Sequence, residues 1–324
     1  MEPISLAELE AGAGELDRLA LASPEIDAFC SSPDWILPAA EALMPPCEPV
    51  LYRGEAGFLA AGLRRHEEVR VIEPLEAMWG LASPLIGREP EPLVAAALDI
   101  VRAREREWDA LILTGLMMDS ALLATAVRRF GAVYRVVLGP QTVRHVAALA
   151  GGVDGFLGRR SRGTRKSVRQ SARRAAGAGI SFVEESAGDA AGGERLFARI
   201  LAVEQRSWKG RMRIGLDTPG MRDFYRLMTR RLAAGGRLRV LFARRGDEEV
   251  AYVLGAVFGD TYRGLQFAFD DRFRQVGLGN LCQVEQVRRL EPSLLHYDLG
   301  TGGDYKRDWA EAEVTSVALV VVRH

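Results

Sequence analysis

"RQVGLGN", residues 274 to 280, stands between an aromatic-rich run, "YRGLQFAFD" (262–270), and a stretch with Leu278, Leu281, Val284, Val287 and Leu290 at helical spacing. The reading is strand, tight loop, helix. The first turn of such a helix leaves backbone N–H groups unpaired and carries the positive end of the helix dipole. Gly277 and Gly279 remove the Cβ atoms that would keep a phosphate away, and Arg274 adds charge. Arg274, Val276, Gly277, Leu278, Gly279 and Asn280 therefore form a candidate pyrophosphate cradle that needs no metal.

Two common phosphate loops do not fit this stretch. The dinucleotide fingerprint wants glycine or alanine at position 282, where Cys282 stands, and only 24 residues follow Gly300, too few for further βαβ units. A P-loop needs Lys-Ser/Thr after the glycines, and none follows. What remains is Arg-x-x-Gly-x-Gly at the head of a helix.

Working outward, three strand candidates precede or include the aromatic run: "RLRVLFARR", "EVAYVLGAVFG" and "YRGLQFAFD", the first two meeting at Gly246-Asp247. Ahead of them lie a basic helix over 159–174, the strand "ISFVEES" and two helices, one ending in "EQRSWKG" and one starting at Pro219. After the loop and its helix come the strand "LLHYDLG", the loop-helix "TGGDYKRDWAEA" and a last strand "VALVVV". This order describes an α+β domain rather than a regular βαβ array.

The first half is mixed α/β. It has a helix "SSPDWILPAAEALM" stopped at Pro45-Pro46, short strands to residue 74, a helix from Pro92, the buried strand "WDALILTGL" and a helix capped by Asp119. It offers no nucleophile, base or phosphate loop. The glycine-containing "AGGVDGF" separates the halves, giving domains 1–150 and 151–324.

The overall charge of zero conceals an asymmetry: residues 1–150 carry 13 basic and 22 acidic side chains, and residues 151–324 carry 30 and 21. An anionic ligand is expected to meet the second half. The three cysteines and four histidines show neither disulfide nor metal-ligand spacing, so no metal is expected. The acidic start is unlike a signal peptide, and no apolar run reaches the ~20 residues of a membrane span, so a cytoplasmic protein is expected. Only three lysines occur, Lys166, Lys209 and Lys306, against 40 arginines. A lysine kept against that bias hints at a need for a compact ammonium.

The Arg-x-x-Gly-x-Gly of 274–279 resembles the coenzyme A pyrophosphate loop of the GNAT acyltransferases. With "EQRSWKG" (204–210), "YDLGTGGDYKRDW" (297–309), "SPDW" (32–35) and "WDALIL" (108–113), the chain is similar to the FemAB-related, CelD-like branch of that superfamily. The resemblance implies two tandem GNAT-like domains, each a central, mostly antiparallel sheet flanked by helices, the first degenerate and the second binding the donor. It implies direct attack of an amine, from a small molecule or a peptide, on acetyl-CoA or another acyl-CoA.

In that scheme Tyr305 is the acid that meets the leaving thiolate, and Lys306 stabilises charge near the reacting carbonyl or the donor phosphate. Asp298 and Glu204 are the candidate bases, although Asp298 could equally cap the turn after it. Trp208, Lys209 and Gln266 border the acceptor. The plain alternatives are a packing tyrosine, a surface lysine beside Arg307 and a core tryptophan. A Fem-like donor, aminoacyl-tRNA, is the second reading. For it, Arg159, Arg162, Lys166, Arg169 and Arg173 would line one stripe of the basic helix, the bland reading of which is a solvated face. A non-catalytic binding module is the third.

Overall fold

The computed structural model describes residues 1–43 and 47–323, so the stop expected at Pro45-Pro46 lies outside the described residues. The chain forms two compact units, Met1–Val143 with Val314–His324, and Arg144–Glu313.

In the first unit the order is β1 (Glu2–Pro3), α1 (Leu6–Ala11), α2 (Ala13–Leu21), α3 (Pro33–Ala42), β2 (Glu48–Gly54), β3 (Gly57–His66), β4 (Val69–Pro74), β5 (Leu85–Ile86), α4 (Pro90–Ala103), β6 (Ala110–Met117) and α5 (Ala121–Gly131). Strands β1 to β4 form an antiparallel meander. β4 and β6, joined through α4, pair in parallel at Val71↔Ala110 and Ile72↔Leu111. Helix α3 starts on Pro33 at its first position, as expected. The cap of α5 is Ser120, whose hydroxyl accepts from Leu123 N, and not Asp119.

The terminal strand β13 (Ala312–Val322), expected in the second domain, lies largely in the first unit. It pairs antiparallel with β6, from Ser316↔Met117 to Val322↔Ala110. The apolar runs "ALIL" and "VALVVV" shield each other, with Leu111, Leu113, Val317, Leu319 and Val321 all buried. Pairing over that sequence distance leaves no local mark, and the two units divide at Val143/Arg144 and again at Glu313/Val314.

The second unit opens on the last residues of β7 (Arg135–Ala148). It continues through α6 (Gly152–Gly158), α7 (Arg162–Gly177), β8 (Ile180–Glu185), α8 (Ala190–Gln205), α9 (Trp208–Met212), α10 (Met221–Ala234), β9 (Leu238–Arg245), β10 (Glu248–Phe258) and β11 (Thr261–Phe269). A 3-10 turn (Asp271–Val276), α11 (Leu278–Val287), β12 (His296–Thr301) and a second 3-10 turn (Asp304–Asp308) lead to β13. Strands β8 to β11 form an antiparallel meander, turning between β9 and β10 at Gly246 with φ +60°.

The helix α11 buries Leu278, Leu281, Val284 and Val287 in a core shared with Leu241, Val253 and Tyr262 of the sheet. Each such side chain contributes about 1.5–3 kcal/mol. The stretch "AGGVDGF", expected as a separator, is in fact α6, because Phe156 is buried and stacks on Trp309 at 5.7 Å. The basic run is likewise not one helix. Arg159 caps the end of α6, and α7 begins after Ser161, whose hydroxyl accepts from Thr164 N. Among the described residues no helix is long and apolar enough to cross a membrane.

Candidate functional site

The opening stretch straddles a helix head. Arg274 and Val276 lie in the 3-10 turn, and Gly277 is the N-cap of α11 at φ +81°, a left-handed conformation that favours glycine. A Cβ at Gly277 would also collide with Ser171 Oγ of α7, and one at Gly279 would come within 3.2 Å of the Phe267 ring. No side chain caps this helix and no carboxylate lies in its first turn. The amides of Leu278, Gly279 and Asn280 are thus those that a helix leaves unpaired. Arg274 is exposed, without a carboxylate partner among the described residues. The cradle is open, electropositive and shaped by bare backbone.

Beside it the sheet parts. β11 and β12 run parallel only at Thr261↔His296, Tyr262↔Tyr297 and Arg263↔Asp298, and beyond these pairs they separate. Along the free length of β11, Lys209 takes the place of a ladder donor. Its Nζ donates to Phe267 O at 2.9 Å and to Gln266 Oε1 at 3.0 Å, and stands 5.3 Å from the Phe267 ring centroid. Burial holds its amine below the usual lysine range. Gln266 in turn donates to Tyr225 at 3.1 Å. Lys209 and Gln266 therefore brace the strand edge. Trp208 is 46% exposed, so the core alternative for it does not hold.

On the other side, Gly300 at φ +76° turns the end of β12, and Lys306 reaches back to donate to Thr301 O at 2.6 Å. Its Nζ lies 3.6 Å from where a Gly300 Cβ would stand, on the side where Gly264 O of β11 also lies. Burial first, then Arg263 and Lys209, and against Asp298, push its amine down to about 8. Tyr305 packs edge-on against Phe267 with ring centroids 6.0 Å apart and stays 41% exposed. Partial desolvation pushes its phenol up to about 12. Phe267 thus touches the cradle, Lys209 and Tyr305 at once.

The two candidate bases are occupied. Asp298 is buried; its Oδ2 accepts from Arg263 at 2.7 Å and from Arg144, and its Oδ1 accepts from Gly300 N at 2.8 Å. That last bond is the turn-capping role that stood as its alternative. Glu204 is fully buried, accepting from Tyr252 at 2.8 Å and from Leu216 N at 3.1 Å. Both carboxylates are buried and accept hydrogen bonds on each oxygen.

Residues 162–307 match the family described as an acetyltransferase (GNAT) domain. That stretch, within the second unit, is a GNAT domain. The fold of the chain is similar to that of a conserved protein of unknown function from Bacteroides thetaiotaomicron VPI-5482, at TM-score 0.70 and 10% identity over the whole of both chains. It is also similar to that of FemX, at TM-score 0.64 and 12% identity over 94% of this chain and 95% of the other. L-PGS from Bacillus licheniformis follows at TM-score 0.59 and 11% identity, over 100% of this chain and 93% of that one. No curated protein matches the sequence.

Four residues of the site went unseen in the sequence. Arg144 and Arg263 hold Asp298, Ser171 fixes Gly277 as glycine, and Phe267 links the parts. Arg144 and Asp298 lie 154 residues apart, a separation that no motif spans.

Proposed function

We propose that this protein transfers an acyl group, acetyl in the first instance, from acyl-CoA to an amine by direct attack. The supporting observation is the bare-backbone cradle at the head of α11 beside the opening between β11 and β12, with Tyr305 and Lys306 at that opening. The donor's pyrophosphate would lie on the amides of Leu278 to Asn280, with Arg274 adding charge. The amine nitrogen attacks the thioester carbonyl, the C–S bond breaks, and the thiolate takes the proton of Tyr305. A phenol pushed up to about 12 stays protonated at neutral pH, so its O–H is present to meet the departing sulfur. The acceptor is the amine of a small molecule or a peptide. Lys209 and Gln266 act on it only through the strand they brace, while exposed Trp208 is free to touch it.

Calorimetric titration with acetyl-CoA tests the reading. Micromolar binding by the wild type, lost in Gly277→Val, is the expected outcome, and no binding to acetyl-CoA or to free CoA would sink it.

One observation favours a second reading, aminoacyl-tRNA as donor. Arg162, Lys166, Arg169 and Arg173 are exposed along one face of α7, with no carboxylate partner among the described residues. Arg159 is not part of the stripe, since it pairs with Glu311 at 3.2 Å. The helix ends beside the cradle through Ser171 and Arg174. Charge reversal at Arg162 and Arg169 that abolished a salt-sensitive tRNA complex would favour this donor.

A further inference from the structure

Direct transfer needs a base for the acceptor's ammonium, and both carboxylates near the opening are committed elsewhere. We infer that the neutral amine of Lys306 is that general base. The inference rests on the acyl-transfer reading above.

The geometry carries it. Lys306 leaves the turn after β12 and brings Nζ back to the mouth where β11 and β12 part, beside Gly300 and on the side of Gly264 O. It gives one hydrogen bond, to Thr301 O at 2.6 Å, which a neutral amine makes as well as a charged one and which leaves the lone pair unused. Lys209, the other buried amine, is instead spent on two oxygens and an aromatic face.

The groups facing Lys306 are Arg263 on β11, Asp298 on β12 and Lys209 on α9, with Arg144 of β7 behind Asp298. Asp298 is already shared by two guanidiniums, so a protonated Lys306 would add a further uncompensated charge to a desolvated site. That environment brings its amine down to about 8, within reach of neutral pH.

The proton balance closes. Lys306 takes one proton from the acceptor ammonium. The amine then forms the C–N bond, the C–S bond breaks, and Tyr305 protonates the thiolate. The resulting phenolate takes the second nitrogen-bound proton, and Lys306 releases its own to solvent. Because the neutral amine is the active form, activity rises as pH climbs through about 8.

The test separates a base from a fixed charge. Lys306→Arg keeps the cation but cannot lose its proton at any working pH. With acetyl-CoA as donor, transfer to ethanolamine, protonated at neutral pH, should fall about 100-fold or more in Lys306→Arg and in Lys306→Met. Transfer to methoxyamine, already neutral, should stay within a few-fold, with acetyl-CoA binding intact.

Three lysines give three signals in lysine-selective 13Cε spectra of the full chain, and the one missing in Lys306→Arg should titrate well below the usual lysine range. An ordinary lysine titration overturns the inference. So does Lys306→Arg that serves ethanolamine as the wild type does, or that loses both acceptors equally. A wild type that binds no acetyl-CoA sinks the acyl-CoA reading itself, a failure the lysine titration does not share.

Discussion

Each unit contains a parallel strand pair joined through a helix, β4–α4–β6 in the first and β11–α11–β12 in the second, and the two helix heads are opposites. Glu89 stands at the N-cap of α4, Pro90 follows, and Glu91 lies in the first turn. Glu91 is shared with Arg128 and Arg129 of α5. Carboxylates at that end suit the dipole and stabilise the helix, and they repel any anion that approaches. At the head of α11 there is no carboxylate, and Gly277 and Gly279 leave backbone exposed. The crossover builds a sheet in both units, and only the residues at the helix head make one of them a candidate cradle for an anion.

The strongest way to break this comparison is Gly277→Val. It introduces a β-branched residue at φ +81° and a clash with Ser171, and should weaken acetyl-CoA binding by at least about 100-fold, or ~2.7 kcal/mol. Calorimetry beside a thermal melt separates lost binding from lost folding. Gly279→Ala meets only the edge of a ring, at 3.2 Å, and should cost about tenfold, ~1.4 kcal/mol. Equal effects at both glycines would mean that backbone conformation plays no part.

Asp298→Asn leaves two buried guanidiniums without their shared carboxylate. It should cost about 3–5 kcal/mol in urea unfolding, the mark of a tie rather than of a base. Unchanged stability with lost turnover would return Asp298 to the role of base. Tyr305→Phe should lower kcat about 100-fold, ~2.7 kcal/mol of barrier, at unchanged donor affinity. Normal turnover would end its assignment as the acid.

The smallest effect belongs to the first unit. Glu91→Ala removes half-exposed ion pairs and should shift stability by less than ~1 kcal/mol. It should also leave donor binding at one equivalent per chain. A second equivalent on removing Glu89 and Glu91 together would show that these carboxylates alone had closed the first helix head.

The Tyr305–Lys306 pair, the glycine loop and its helix were legible because each is a local pattern. Glycines beside an apolar helical period, or a strand followed by a Gly-rich turn, set backbone geometry within a few residues. The same locality misled elsewhere. The run 159–174 has helical charge spacing throughout, yet Arg159 and Arg160 are drawn to Glu311, and the helix restarts at Ser161. "AGGVDGF" reads as a break by its glycines, while burial of Phe156 against Trp309 makes it helical. Asp298 reads as a candidate base because a carboxylate stands at a strand end, and nothing local announces the two guanidiniums that meet it.

The sequence by itself determined the periodicities, hence the helices and the meander, and the glycine-headed helix of the candidate cradle. Those follow from steric and hydrogen-bonding rules acting over a turn or a hairpin. Tertiary structure alone decided that β13 joins β6, that Lys209 braces the free edge of β11, and that Arg144 and Arg263 converge on Asp298. Through those contacts it also set the burial and the charges around Lys306. Charge and desolvation depend on what lies within a few ångströms in space, and neighbours in space are chosen by the packing of the whole chain.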